Sequence, residues 1–199
     1  MTWILTRTGQ RFDLLQPRAS QIAVLDIAHA LAHLCRFNGH ASRHYSVAQH
    51  SLLVASIVPP EHQLAALLHD ATEAYVGDMV RPLKQVMPEY QQIEQRIWLA
   101  ICERFDIAPE LPECVREADM IALATERAQL MPHHPGEWDC LAGVTPLPDA
   151  LDHWTPQQAQ TQYLDRLLEL LQTTHRAHDR HTWERVDEAH AGQPAPMCM

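Results

Sequence analysis

A chain of 199 residues with 46% hydrophobic content has the size of one domain and enough apolar mass for a real core. Its formal charge of −10 argues against long nucleic-acid polymers as partners, which need a basic face, while leaving room for a small nucleotide met by a metal and a few local cations. No apolar run is long enough to cross a bilayer, and the five cysteines are scattered and never in a CxxC pair. They argue against a disulfide scaffold or zinc ribbon and for a reducing, cytoplasmic setting.

The opening Met-Thr-Trp-Ile-Leu-Thr-Arg lacks the basic, apolar, small-residue order of a signal peptide. Residues 3–15 instead predict a short β-hairpin around a turn at Thr8-Gly9-Gln10. From Ser20 to Phe37, apolar residues at Ile22, Leu25, Ile27, Ala28, Leu31, Leu34 and Cys35 predict an amphipathic helix, stopped at Asn38-Gly39. Ser46 and Gln49 form a capping-box pattern, so a second helix is expected from Val47 to about Ile57, ended by Pro59-Pro60. Glu61 to Tyr75 predicts a third helix, almost continuously apolar over Leu64–Leu68, as suits the centre of a bundle.

After breaks at Gly77 and Pro82, helices are expected over Glu89–Phe105 and Pro112–Leu130. Met131–Trp154, rich in proline and holding Trp138 and Trp154, predicts an ordered excursion loop. Thr155-Pro156 starts a last helix to about Thr174. The expectation is an all-α domain over 1–175 with an N-terminal hairpin, followed by a polar, loosely held tail over 176–199.

His69-Asp70 ends the most apolar helix. A histidine and a carboxylate there are costly unless compensated, either by each other and the backbone or by a divalent metal. Glu73 follows one turn on and projects from the same face. His50 lies in the first turn of the preceding helix, and Asp119 sits among Val115, Ala118, Ile121, Ala122 and Leu123. Taken singly, Asp119 reads equally well as a solvated helix residue. As a set, His50, His69, Asp70 and Asp119 supply two imidazoles and two carboxylates from three helices, enough for an octahedral site with positions left for water and substrate. His29 and His33, also one turn apart, are a weaker metal pair, with Asp26 as the one carboxylate on their face. The tail string His175, His178-Asp179 and His181 lacks a buried setting.

The order His50, then His69-Asp70, then Asp119 resembles the H…HD…D signature of the HD-domain phosphohydrolase superfamily. The strings Ser-Val-Ala-Gln-His50-Ser and Leu-Leu-His69-Asp70-Ala-Thr-Glu73-Ala-Tyr-Val-Gly-Asp78 look like its small bacterial 5′-deoxynucleotidase branch and phage dATP-triphosphohydrolase relatives. The resemblance spans Ile27 to Leu130 and implies a compact HD-domain helical bundle acting on a deoxynucleotide. It further implies that Glu73 and Asp78 are the catalytic carboxylates and that Arg36-Phe37 contacts the nucleotide. Dinuclear members need further histidines between the HD pair and the last Asp. None lies between Asp70 and Asp119, so one divalent transition metal (Co, Mn, Zn or Fe) is expected.

Charge placement then suggests roles. Glu73 orients or deprotonates water, and Asp78 positions water or protonates the leaving oxygen. Arg36 offers a fork for phosphate, and Lys84 is either a phosphate contact or an ordinary surface lysine. The leading expectation is cleavage of the α-phosphate ester of a nucleoside mono- or triphosphate. The alternatives are a regulatory nucleotide-binding domain and a hydrolase of another small phosphate ester. No membrane partner is expected, and a homo-oligomer is compatible with either reading.

Overall fold

Phe12 anchors the first element of the chain. The computed structural model describes the backbone of residues 1–136 and 138–190, and the side chains of residues 1–136 and 138–174. Strands β1 (Trp3–Leu5) and β2 (Arg11–Asp13) pair antiparallel with Ile4 opposite Phe12. Gly9 turns the hairpin at a φ of 82°, a value that costs glycine nothing. Asp26 fixes the turn to the first helix by accepting hydrogen bonds from the Thr8 amide (2.7 Å) and hydroxyl (2.8 Å). Phe12 is fully buried and stacks on Tyr75 with ring centroids 3.9 Å apart. Burial of one such ring is worth roughly 1.5–3 kcal/mol, which docks the hairpin against the segment that carries Glu73.

The described residues are otherwise mostly helical. Helix α1 runs over Val24–His33, shorter than its apolar pattern suggests. Leu34 and Cys35 are extended, Cys35 bridges Ser46, and Arg36 donates its amide to the Tyr45 carbonyl at 2.9 Å. The pairing captures backbone groups that a longer helix would have used, and it sets Arg36 beside the start of α2. Helix α2 (Val47–Ile57) begins where the cap predicts, with the Ser46 hydroxyl accepting the Gln49 amide. The reciprocal half of the box is not made: the Gln49 side chain donates to the Asp152 carbonyl instead.

Helix α2 is the hub, packing on α1, on α3 (Gln63–Leu68), on α7 (Glu113–Leu130) and on α8 (Pro156–His190). Its buried face carries Val47, Ala48, His50, Ser51, Val54 and Ala55. The expected single helix from Glu61 to Tyr75 is divided. A 3-10 turn at Pro60–His62 leads into α3, and a separate α4 (Glu73–Val76) follows. Between them the amides of Ala71 and Glu73 bond to the carbonyls of Leu68 and Asp70, a three-residue spacing. The His69 ring takes the Ala66 carbonyl at 2.7 Å, which draws that acceptor toward the side chain and favours the tighter winding.

A short α5 (Arg81–Lys84) precedes α6 (Pro88–Phe105), and α6 and α7 start within a residue of their expected positions. The 131–154 segment follows α7 back: Leu147 bonds to the Thr125 hydroxyl, Leu151 and Asp149 bond to the Gln129 amide, and Arg43 and Gln49 hold Leu151 and Asp152. The backbone of helix α8 continues to His190, past the end expected near Thr174. The remainder of the expected tail, 191–199, lies outside the described residues. No described helix is long and apolar enough to cross a membrane.

Candidate metal centre

Helix α2 delivers His50 from its first turn, and the tightened segment after α3 delivers His69 and Asp70. Helix α7, packed on α2, delivers Asp119. The two Nε2 atoms face each other at 3.3 Å. Asp119 Oδ1 lies 3.1 Å from His50 Nε2, and Asp70 Oδ2 lies 3.4 and 3.2 Å from the Nε2 atoms of His50 and His69. Ligand atoms of His50, His69 and Asp119 all fall within 4.8 Å of one another. His50 is fully buried, while Asp70 and Asp119 keep partial access to solvent.

The outer nitrogens decide what these inner atoms are. Ala66 offers a carbonyl, which only accepts, so His69 Nδ1 carries a hydrogen and donates it. His50 Nδ1 lies 2.7 Å from Glu126 Oε1, and the neighbouring Arg36 and His50 hold Glu126 ionised against the cost of its burial. The His50 Nδ1 therefore donates as well. In the neutral rings both Nε2 atoms are then left with lone pairs directed at each other and at two carboxylates. Such a cluster of acceptors is unstable without a positive centre, either a proton or a metal. Without metal the proton takes that part. Burial and the Arg36 charge push the His50 imidazole down, but Glu126 and Asp119 outweigh them and hold it at about 9. Against burial, His69, His50 and Arg36 hold the Asp70 carboxyl well below its usual range. This donor set suits one borderline divalent cation: neutral imidazoles and anionic oxygens, each outer nitrogen already oriented.

Glu73 stands three residues after Asp70. In the tight winding of this segment, positions three apart eclipse, so both carboxyls share one face. Glu73 is buried, its Oε2 has no hydrogen-bond partner, and burial followed by the charges of Asp70 and Asp78 pushes its pKa well above normal. Asp78 follows Gly77, whose φ of 82° and ψ of 160° belong to glycine alone, and the Tyr90 hydroxyl clamps the Gly77 carbonyl at 3.0 Å. Burial raises the Asp78 pKa too, with Arg36 opposing and Asp70 adding.

Arg36 reaches the centre, but not as a free fork. Its Nε and one terminal nitrogen are held by Glu126 Oε2 at 3.1 and 3.0 Å, and the other terminal nitrogen lies 3.7 Å from Asp70. Only one terminal nitrogen of Arg36 is free of Glu126, so the fork expected of it is half occupied. Phe37 sits next to it at an uncommon φ of 55°, with its ring 6.3 Å from that of Trp138 in the 131–154 segment. Lys84 gives its charge to Glu94 at 2.6 Å, so its nearest partner is a carboxylate rather than open solvent.

Two residues of this neighbourhood were missed in the sequence. Glu126 lies seven positions after Asp119, which places it two turns along the same face of α7; that spacing was the available signal. Trp138 had no local signal, because only the return of the 131–154 segment along α7 brings it to Phe37. The weaker histidine pair is otherwise engaged: His29 Nδ1 meets Gln160, His33 Nδ1 meets the His29 carbonyl, and Asp26 is committed to Thr8.

Fold and donor set thus define a mostly helical protein with a buried histidine and carboxylate cluster fit for one cation. No family model matches the chain. It is 41% identical over 144 residues to the uncharacterized protein YfdR of Escherichia coli (strain K12), covering 72% of this chain and 81% of that protein. An uncharacterized protein of Rhodobacter capsulatus is 35% identical over 155 residues, covering 71% and 79% respectively. The chain belongs to the family of these proteins.

Proposed function

We propose that this protein is an HD-domain, metal-dependent phosphohydrolase that cleaves the α-phosphate ester of a deoxynucleoside mono- or triphosphate. The observation that carries the reading is the convergence of two outward-anchored imidazoles on two carboxylates, with a buried, unpartnered Glu73 oxygen and an arginine alongside. A regulatory domain that merely bound nucleotide would have no use for Glu73 in this state.

His50, His69, Asp70 and Asp119 would hold one divalent transition metal, which when bound polarises a phosphoryl oxygen and supplies an activated water. Arg36 steadies a phosphate oxygen through its uncommitted nitrogen. Burial makes Glu73 a stronger base than an ordinary carboxylate, so it can take the proton of the attacking water. Attack at the α-phosphorus breaks its bond to O5′, and Asp78, whose proton affinity is also raised, returns a proton to that oxygen. Phe37 offers an apolar face to sugar or base. The described cysteines are all free thiols, which fits a reducing cytoplasm.

The test is a panel of dAMP, AMP, dATP and ATP incubated with the full chain and Mn²⁺, Co²⁺ or Zn²⁺, with products resolved by chromatography. Release of phosphate from the monophosphates, or of triphosphate from the triphosphates, is the expected result. Intact nucleotides under every metal would remove the reading.

A further inference from the structure

Glu126 is 0% exposed and sits on the α7 face turned to α2, where an apolar side chain would satisfy packing alone. Both of its oxygens are spent. Oε1 takes the Nδ1 hydrogen of His50 at 2.7 Å, and Oε2 takes Nε and a terminal nitrogen of Arg36 at 3.1 and 3.0 Å. The first contact determines which His50 nitrogen faces His69 and Asp119. The second leaves Arg36 one terminal nitrogen, directed toward Asp70. A single carboxylate on one helix therefore orients a metal-facing ring from α2 and a phosphate-facing guanidinium from the loop before it.

We propose that Glu126 is a positioning residue that holds the cation-binding and phosphate-binding halves of the centre in register. The inference rests on the metal reading of the site. A carboxylate behind a ligating histidine fixes its tautomer and strengthens it as a donor, and loss of such a partner typically costs about 10–100-fold in metal affinity. A purely structural role, neutralising a buried arginine, would lower stability and leave cation affinity alone. The two roles are separable by their readouts: Glu126→Gln keeps the shape but removes the charge that strengthens His50 as a donor, which lowers cation affinity only if Glu126 acts through His50.

The test is titration of the metal-free full chain with Co²⁺, followed by visible absorption, and separately titration of the Co²⁺-loaded chain with inorganic phosphate. Wild type is expected to bind one Co²⁺. Glu126→Gln is expected to bind it roughly 10–100-fold more weakly and to lose affinity for phosphate, with its helical circular dichroism retained. A lowered melting temperature with unchanged Co²⁺ and phosphate affinity overturns the proposal. Should the single variant fail to fold, Glu126→Gln combined with Arg36→Met removes both members of the buried ion pair. That double variant is expected to show the same Co²⁺ deficit, and wild-type affinity in it overturns the proposal. No Co²⁺ binding by wild type would instead remove the metal reading on which it rests.

Discussion

Raising the pH of the metal-free protein should destabilise it in a window set by His50. In the folded chain the His50 proton is the positive centre between Glu126 and Asp119, and the imidazole holds it up to about 9. In the unfolded chain a histidine releases its proton near ~6.5. The folded state therefore binds more protons across this interval. The resulting stabilisation is fully present below about 6.5 and is lost as pH rises through about 9. The displacement corresponds to roughly 3 kcal/mol, a large fraction of an ordinary domain's stability. Glu73, with its pKa raised mainly by burial, acts in the same direction from about 4.5 upward, so the contribution of His50 is read as a difference. The assay is urea unfolding of chelator-treated wild type and His50→Gln at intervals between pH 6 and 9.5. Wild type should lose stability steadily over the window while the variant loses markedly less. Zinc-loaded wild type should lack the His50 part of that slope, because a metal-bound imidazole carries no proton at that nitrogen. Parallel profiles for metal-free wild type and variant would refute the assignment of His50 as the proton-holding ligand.

Glu73→Gln should fold, retain metal and lose about 10²–10⁴ in turnover, as measured by kcat with dAMP or dATP; near-normal kcat would shift the base role to Asp78. On the proposed reading deoxynucleotides should be cleaved faster than ribonucleotides in paired kinetics on dAMP and AMP, since a pocket packed tightly at C2′ would have neither space nor a partner for an added hydroxyl. Equal rates would refute sugar selection. Arg36→Ala should raise KM for both sugars, and it should also lower the melting temperature, since it strands the buried Glu126 charge; an unchanged KM would take Arg36 out of the substrate's path.

Much of the frame was legible in the sequence because it rests on local signals. The hairpin turn at Gly9, the Ser46 cap and the amphipathic runs of α6 and α7 need no tertiary information. The four ligand candidates were legible as a set, since histidines and carboxylates in apolar helices demand compensation. What escaped was decided by contacts distant in sequence. Glu126 looked like any helical glutamate until His50 and Arg36 met it from 76 and 90 positions away. The same contact occupies half of the fork expected of Arg36. Lys84 was equally ambiguous until α6 placed Glu94 against it. The division of the helix at His69 has a local cause, a ring that claims its own backbone carbonyl, but periodicity counts residues and does not see which acceptor a side chain takes.

The central claim, that these four side chains hold one metal, is tested most directly by elemental analysis of purified chain after exhaustive dialysis. The account predicts close to one transition metal per wild-type chain, and almost none in His69→Ala or Asp119→Ala variants that keep their helical circular dichroism. Full metal content in both variants would contradict it and point to histidines elsewhere in the chain.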